Sequence, residues 1–336
     1  MFNPWDIKRK DFPDNGGLID KIKFVLGYAI LAPSTHNSQP WLFKLSEDSC
    51  RIYYNNNLRL PEADPIGRDL YISMGCMIEN LVIAASYFGI FKDINYQLEG
   101  NYIAEVIFHN GGQRNRDIEY LLDTIPTRVN ARGLFDKEIL PKEIQSALLA
   151  LNNNPELHIN FITDKDKIKI AASLTDLGQR IAHGKSSFRK EMSGWMHNSL
   201  TANKVGMPGY SLKMPFLLSF VIPTLIKFFD MSPLLAKLNY KSMISSQMIF
   251  VISSRDNSEL IWVETGRLAE RSMLYLQSGG ISTSIFVASI EMSDLYKELQ
   301  KVINTNLYPQ FLFCVGYMKN VQRHSPRVSI EEKILT

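Results

Sequence analysis

The strongest constraint on this chain is a repeat: two long apolar helical stretches, 191 positions apart, carry the same residues at the same steps. Sliding one onto the other superimposes Gly75 on Gly266, Glu79 on Glu270, Gly89 on Gly280 and Ile90 on Ile281. Apolar positions between them also correspond, as Met77 does with Leu268 and Ile83 with Leu274. Such a pattern points to an internal duplication, a unit built twice.

The flanking elements repeat in type and order. In the first half, Leu18, Ile22, Val25, Leu26, Ala29 and Ile30 recur at helical spacing up to Pro33, and Trp41 to Leu45 reads as a strand. Asp69 to Phe88 then reads as a long helix closed by Gly89, and Tyr102 to Phe108 alternates like a strand before Gly111-Gly112. In the second half a helix runs through Leu149 and Leu151, a polar break follows at Asn152 to Pro155, and His158 to Thr163 reads as a strand. Leu260 to Gln277 is the second long helix, closed by Gly279-Gly280, and Gln247 to Ile252 and Phe311 to Val315 are strands. The expected fold is α+β: two units with mixed or antiparallel sheets flanked by helices, at residues 1–112 and 113–336, forming one cooperative body. The second unit carries an inserted, lid-like segment at about 165–245.

Composition narrows the function. The chain has 336 residues, 45% of them apolar, and a formal charge of +3 with Lys and Arg scattered, which argues against a nucleic-acid surface. Cys50, Cys76 and Cys314 have no paired spacing, and Met1 to Phe12 has no leader-like apolar run, so a reducing cytoplasmic location is expected. The run from Met214 to Phe229 is apolar but broken by Pro215, Pro223 and Lys227 and falls short of the roughly 20 residues of a membrane span. It reads as a buried or lid segment, with an oligomer contact or a membrane-surface patch as the alternatives.

The polar chemistry is unequally shared between the halves. Ala32-Pro33-Ser34-Thr35-His36-Asn37-Ser38-Gln39-Pro40-Trp41 places six polar residues between helix and strand, bracketed by prolines that forbid helix or ladder, and reads as a ligand loop. The second half has only Asn152 to Glu156 there, but it opens with Arg128-Val129-Asn130-Ala131-Arg132, for which the first half has only the charged tract Lys8 to Lys10. Each half thus holds one part of a site. His36 reads as structural or exposed, the six histidines lack metal-ligand spacing, and Gly178 to Ser186 lacks the first glycine of a phosphate loop.

These residues resemble the nitroreductase superfamily of FMN-dependent oxidoreductases, usually homodimers, and within it the Acg-like branch, in which two units are fused in one polypeptide. The resemblance runs from about Leu18 to Ile330, and PSTHNSQPW is its most specific motif. It implies a single FMN between the halves, held by Pro33, Ser34, Thr35 and Asn37 on one side and Arg128, Asn130 and Arg132 on the other. Asn130 stands where many relatives have Ser or Thr. The ending Gly316-Tyr317 and Ser325-Pro326-Arg327 also resembles the family's, which makes Arg327 a phosphate ligand, and Lys241 matches a flavin-facing lysine.

By this reading Arg128 and Arg327 meet the phosphate with charge-assisted hydrogen bonds, Arg132 favours negative charge on the reduced ring, and the loop side chains orient the ribityl hydroxyls. Hydride would pass from NADH or NADPH to the flavin and on to a nitro, quinone or similar small-molecule acceptor. The flavin carries that chemistry, so no catalytic side chain and no metal is named. Two other readings stand beside it: an FMN-sequestering protein whose lid permits little turnover, and a membrane-surface redox or interaction protein. Whether the self-contained pseudo-dimer dimerises again is open; neither nucleic acid nor a membrane is an expected partner.

Overall fold

The computed structural model describes residues 3–319 and 323–335. In chain order the first unit is α1 (Leu18–Ala29), β1 (Trp41–Leu45), β2 (Ser49–Tyr54), α2 (Arg68–Tyr87), β3 (Phe91–Glu99) and β4 (Tyr102–Phe108). A short α3 (Glu119–Thr124) leads to the second: α4 (Ile144–Ala150), β5 (Leu157–Ile162), α5 (Lys165–Gly184), α6 (Ser186–Trp195), β6 (Met196–His197), β7 (Met207–Pro208), α7 (Ile222–Phe228), α8 (Ser232–Ser245), β8 (Met248–Ser254), α9 (Glu259–Ser278), β9 (Ser282–Ile285), α10 (Ala288–Glu291), α11 (Leu295–Ile303) and β10 (Tyr308–Gly316). Helices and strands expected from periodicity lie within a few residues of these bounds. β3 has no counterpart among the expectations because it is a polar edge strand whose buried side is only partly covered.

The repeat is visible as topology. One sheet has the order β1-β2-β4-β3 and the other β5-β8-β10-β9, so replacing each first-unit strand by its counterpart reproduces the second sheet. All pairings within both sheets are antiparallel. Where the first unit has the tight turn from β1 to β2, the second has α5 to α8 inserted between β5 and β8, on the side of the sheet opposite the seam, with Ile168, Ala171 and Ala172 of α5 packed on Ile249, Val251 and Leu312.

α2 and α9 cross at the centre, and the crossing explains the repeated glycine. A Cβ on Gly75 would stand 2.0 Å from the Val263 carbonyl oxygen, and one on Gly266 would stand 2.0 Å from that of Ile72. Backbone thus lies on backbone, and Cys76 Sγ donates across the seam to the Gly266 carbonyl at 3.3 Å. α2 is long and apolar enough to cross a bilayer, yet it is buried here along nearly its whole length. One apolar core runs unbroken through both units, from Leu26, Trp41 and Met74 to Met273, Phe250 and Phe313.

The inserted segment has a small core of its own around Met196, Met207 and Ile226. The apolar run from Met214 to Phe229 belongs to it but is not a buried stretch. Only Ser219 and Ile226 are buried, and Leu217 is 77% exposed. Its large side chains face outward because the core beneath them is already filled by the methionines and by Trp195, Ile222 and Leu235.

Candidate functional site between the two units

A cavity of about 290 Å³ opens where the units and the inserted segment meet. Its walls bring together Pro33 to Asn37 of the first unit and Arg128, Asn130 and Arg132 of the second, nearly 100 positions apart in sequence. One face of α2 contributes Asp69, Ile72, Ser73 and Cys76, the inserted segment Phe188, Met207, Ser211 and Leu212, and the C-terminal strap His324, Ser325 and Arg327.

The loop is strained and firmly tied. His36, Asn37 and Gln39 all have left-handed backbone, with φ of 53°, 55° and 50°, a conformation that costs a side-chain-bearing residue free energy and persists only where surrounding bonds enforce it. Ser34 Oγ accepts from the Gln39 amide at 2.9 Å. Asn37 Nδ2 donates to the Gly206 carbonyl at 2.9 Å and to that of Pro326 at 3.2 Å, and Gln39 Nε2 donates to the Lys204 carbonyl at 2.7 Å. The Val328 amide donates to Gln39 Oε1 at 2.9 Å, and Lys333 Nζ to the Gln39 carbonyl at 2.5 Å. The polar residues that read as ligand groups in the sequence thus fasten the loop to the inserted segment and the strap. Asn37 shapes the wall, its amide being committed to protein carbonyls.

Arg327 is used the same way. Nη1 donates to Asn37 Oδ1 at 2.7 Å, and Nη2 to the Leu31 and Ala32 carbonyls at 3.1 and 3.0 Å, so the guanidinium clips the strap onto the end of α1. It lies 4.7 Å from the Trp5 ring, which in turn stacks on His324 at 4.0 Å and donates Nε1–H to the Ser325 carbonyl. Burial, with Arg128 alongside, pulls this guanidinium down to about 9, still charged at neutral pH. Only Nε, buried and without a partner, is left for anything else, so the terminal nitrogens expected to face a phosphate are taken.

Arg128 is 3% exposed and pairs through Nε with Glu270 Oε1 of α9 at 3.2 Å, while burial raises the Glu270 carboxyl against that attraction. Asn130 Oδ1 accepts from the Ile285 amide at 2.9 Å, and the Ala131 amide donates to the Thr283 carbonyl, which lays the arginine segment along β9. Arg132 lies on the cavity wall, where burial lowers its basicity. Lys241 is a correction. It is exposed on α8, whose buried residues Ala236, Ser242 and Met243 face the other way, and it does not line the cavity.

Sequence reasoning passed over a carboxyl group in the wall. Asp69 and Glu291 both line the cavity, with Arg68 3.6 Å from Asp69 and 3.9 Å from Glu291. Burial and the neighbouring Asp69 hold Glu291 well above the usual carboxylate range, and the same two causes push Asp64 up to about 6. The available signal was Asp69 and Ser73 one turn apart at the start of a largely apolar helix.

His36, set aside in the sequence as structural or exposed, lies in the wall with Nε2 buried and unpartnered. Burial, helped by Arg132 and opposed by Asp69, lowers it to about 4. The unfolded chain therefore takes up a proton as pH falls below the ordinary 6.5, whereas the folded chain does not until about 4. The stability this neutral imidazole contributes is complete above 6.5 and is lost between 6.5 and 4. Relative to wild type, His36→Gln should recover about 2 kcal/mol of urea stability at pH 5 that it does not show at pH 7. Parallel wild-type and variant profiles would remove His36 from that account, and Asp64, which titrates oppositely in this window, cancels in the difference.

At the place related by the repeat there is a different structure. Glu79, counterpart of Glu270, is buried and held by Arg267 at 3.0 Å and Arg271 at 2.5 Å, both from α9. Arg267 stands where the first unit has Cys76 and reaches on to Tyr96 and Glu264. The loop there is Asn152 to Pro155.

Taken together, the fold and the cavity define an α+β protein made of two related units, with an arginine-lined cavity at their seam. No family model matches the chain. It is 21% identical over 323 residues, 94% of either chain, to the Mycobacterium tuberculosis protein acg, provisionally named an NAD(P)H nitroreductase. Over 78 residues it is 33% identical to Rv3131 of the same organism, similarly named; that match spans 22% of the relative's length. Among solved structures it is similar to an FMN-dependent nitroreductase, NfnB of Mycobacterium smegmatis, in complex with NADPH, with 15% identity, 64% of this chain and 96% of that one covered, and a TM-score of 0.40. Along nearly its whole length the chain thus resembles the Acg-like kind of nitroreductase-superfamily protein.

Proposed function

We infer that the chain binds one FMN in the seam cavity and uses it to pass electrons from NADH or NADPH to a small organic acceptor, such as a nitroaromatic or a quinone. The observation that carries this reading is the convergence of the 33–37 loop and the 128–132 segment on one cavity. Its donor set suits the cofactor: buried guanidiniums for a dianionic phosphate and an electron-rich ring edge, a proline-stiffened loop, and two buried nitrogens without partners, His36 Nε2 and Arg327 Nε. Similarity to acg along nearly the whole chain supports the same reading.

Arg128 takes the phosphate end, and Arg132 stabilises negative charge on the ring system. Pro33, Ser34 and Thr35 form the wall along the sugar-alcohol chain, with Thr35 fixed by its amide to Ser73 Oγ at 3.4 Å. Asn37, Asn130 and Arg327 hold these groups in position through the protein bonds described above. FMN, when bound, supplies the two-electron chemistry. One site per chain is supported by the chemistry of the repeat-related position, where Arg267 and Arg271 are committed to Glu79.

A second reading is favoured by the lid. Phe188, Met207 and Leu212 close one wall, so the cavity has the build of a compartment that keeps large acceptors out and suits retention of flavin with little turnover. Purified protein should carry one FMN per chain by absorbance. Anaerobic NADH or NADPH should then bleach it rapidly if electrons flow, and slowly if flavin is only stored. Colourless protein that ignores added FMN would end both readings.

A further inference from the structure

We propose that the outer face of the lid docks on an anionic lipid bilayer surface. The face is continuous: Phe216, Leu217, Phe220 and Val221 precede α7, and Phe228 and Phe229 close it. All six are exposed, Phe228 by 64% and Phe229 by 61%, and the rings of Phe216 and Phe220 meet edge to face at 5.5 Å. Leu234 and Leu238 extend it by one turn along the exposed side of α8. Scattered exposed apolar side chains are ordinary, but this density within two dozen residues marks an interaction surface.

Charge selects the occupant. From 213 to 241 the chain has four lysines, at 213, 227, 237 and 241, against the single acid Asp230, so this segment alone equals the formal charge of the whole chain. Lys227, Lys237 and Lys241 are exposed among or beside the apolar side chains, where long aliphatic stems lie along the hydrocarbon boundary while ammonium groups meet headgroup phosphates. A second copy of the chain fits worse, because a twofold contact would bring the same lysines against each other. Spanning is excluded by the two prolines and the short run. The sequence reading treated lid and membrane patch as alternatives; here they are opposite faces of one module, since Met207 and Leu212 line the cavity on its inner side.

Flotation of the full chain with vesicles tests this without reference to flavin. Protein should float with vesicles containing phosphatidylglycerol, weakly or not at all with phosphatidylcholine alone, and less as salt is raised. Phe216→Ser/Phe220→Ser should abolish flotation with an unchanged thermal unfolding curve, and Lys227→Gln and Lys237→Gln should weaken it about fivefold each. Equal binding to neutral vesicles, or no flotation together with a concentration-dependent dimer that Phe216→Ser/Phe220→Ser dissolves, would overturn the proposal.

Discussion

Arg128→Ala should emerge from gel filtration without its flavin absorbance and with its unfolding free energy lowered by about 3 to 5 kcal/mol. Two effects combine in that result. Arg128 and Glu270 are 3% and 0% exposed, so removing the guanidinium strands a carboxylate out of reach of water and without its ion-pair partner. The same substitution removes the proposed phosphate ligand. A double variant separates them: Arg128→Met with Glu270→Gln removes both charges of the pair and should recover most of the stability, but not the FMN. Full flavin retention in the double variant would strike Arg128 from the site while leaving the ion pair as a structural element.

Gly75→Ala should be as damaging, although it adds only one methyl group. Overpacking usually costs about 1 to 3 kcal/mol, because side chains move aside. Here the added carbon meets the Val263 carbonyl at 2.0 Å and the Arg267 amide nitrogen at 3.0 Å, and backbone cannot yield unless the helices part. The expected loss in urea unfolding is about 3 kcal/mol or more. Because α2 also supplies Ile72, Ser73 and Cys76 to the cavity, flavin affinity should fall with it. Gly194→Ala, inside α6 with open space around it, is the control and should be neutral or slightly stabilising. Equal behaviour of the two variants would show that the seam does not hold the units together as described.

Much of the site was legible because its parts break local rules. Two prolines around six polar residues exclude a core helix or strand, and paired arginines flanking an amide have no place in a core, so 33–37 and 128–132 stand out in the string. The roles within those segments were not legible. Ser34, Asn37 and Arg327 have side chains that could serve a ligand or the protein equally well, and their partners include backbone groups, the Gln39 amide for Ser34 and the carbonyls at 31, 32, 206 and 326 for the other two, which no side-chain pattern records. Lys241 was misplaced for a related reason: an alignment by spacing carries no information about which side of α8 faces the cavity.

The amino-acid order by itself determined that the chain is double, with two long apolar helices sharing a glycine at the same step and two sets of strands around them, because periodicity and repetition are one-dimensional properties. Tertiary structure decided the rest. Folding about the Gly75–Gly266 crossing carries residue 35 to residue 130, gives Glu270 one arginine from the loop but Glu79 two from its own seam, and turns one side of the inserted segment to the cavity and the other to solvent. These are properties of distance in space, set by how two packed surfaces fit, and a residue's neighbours along the chain do not encode them.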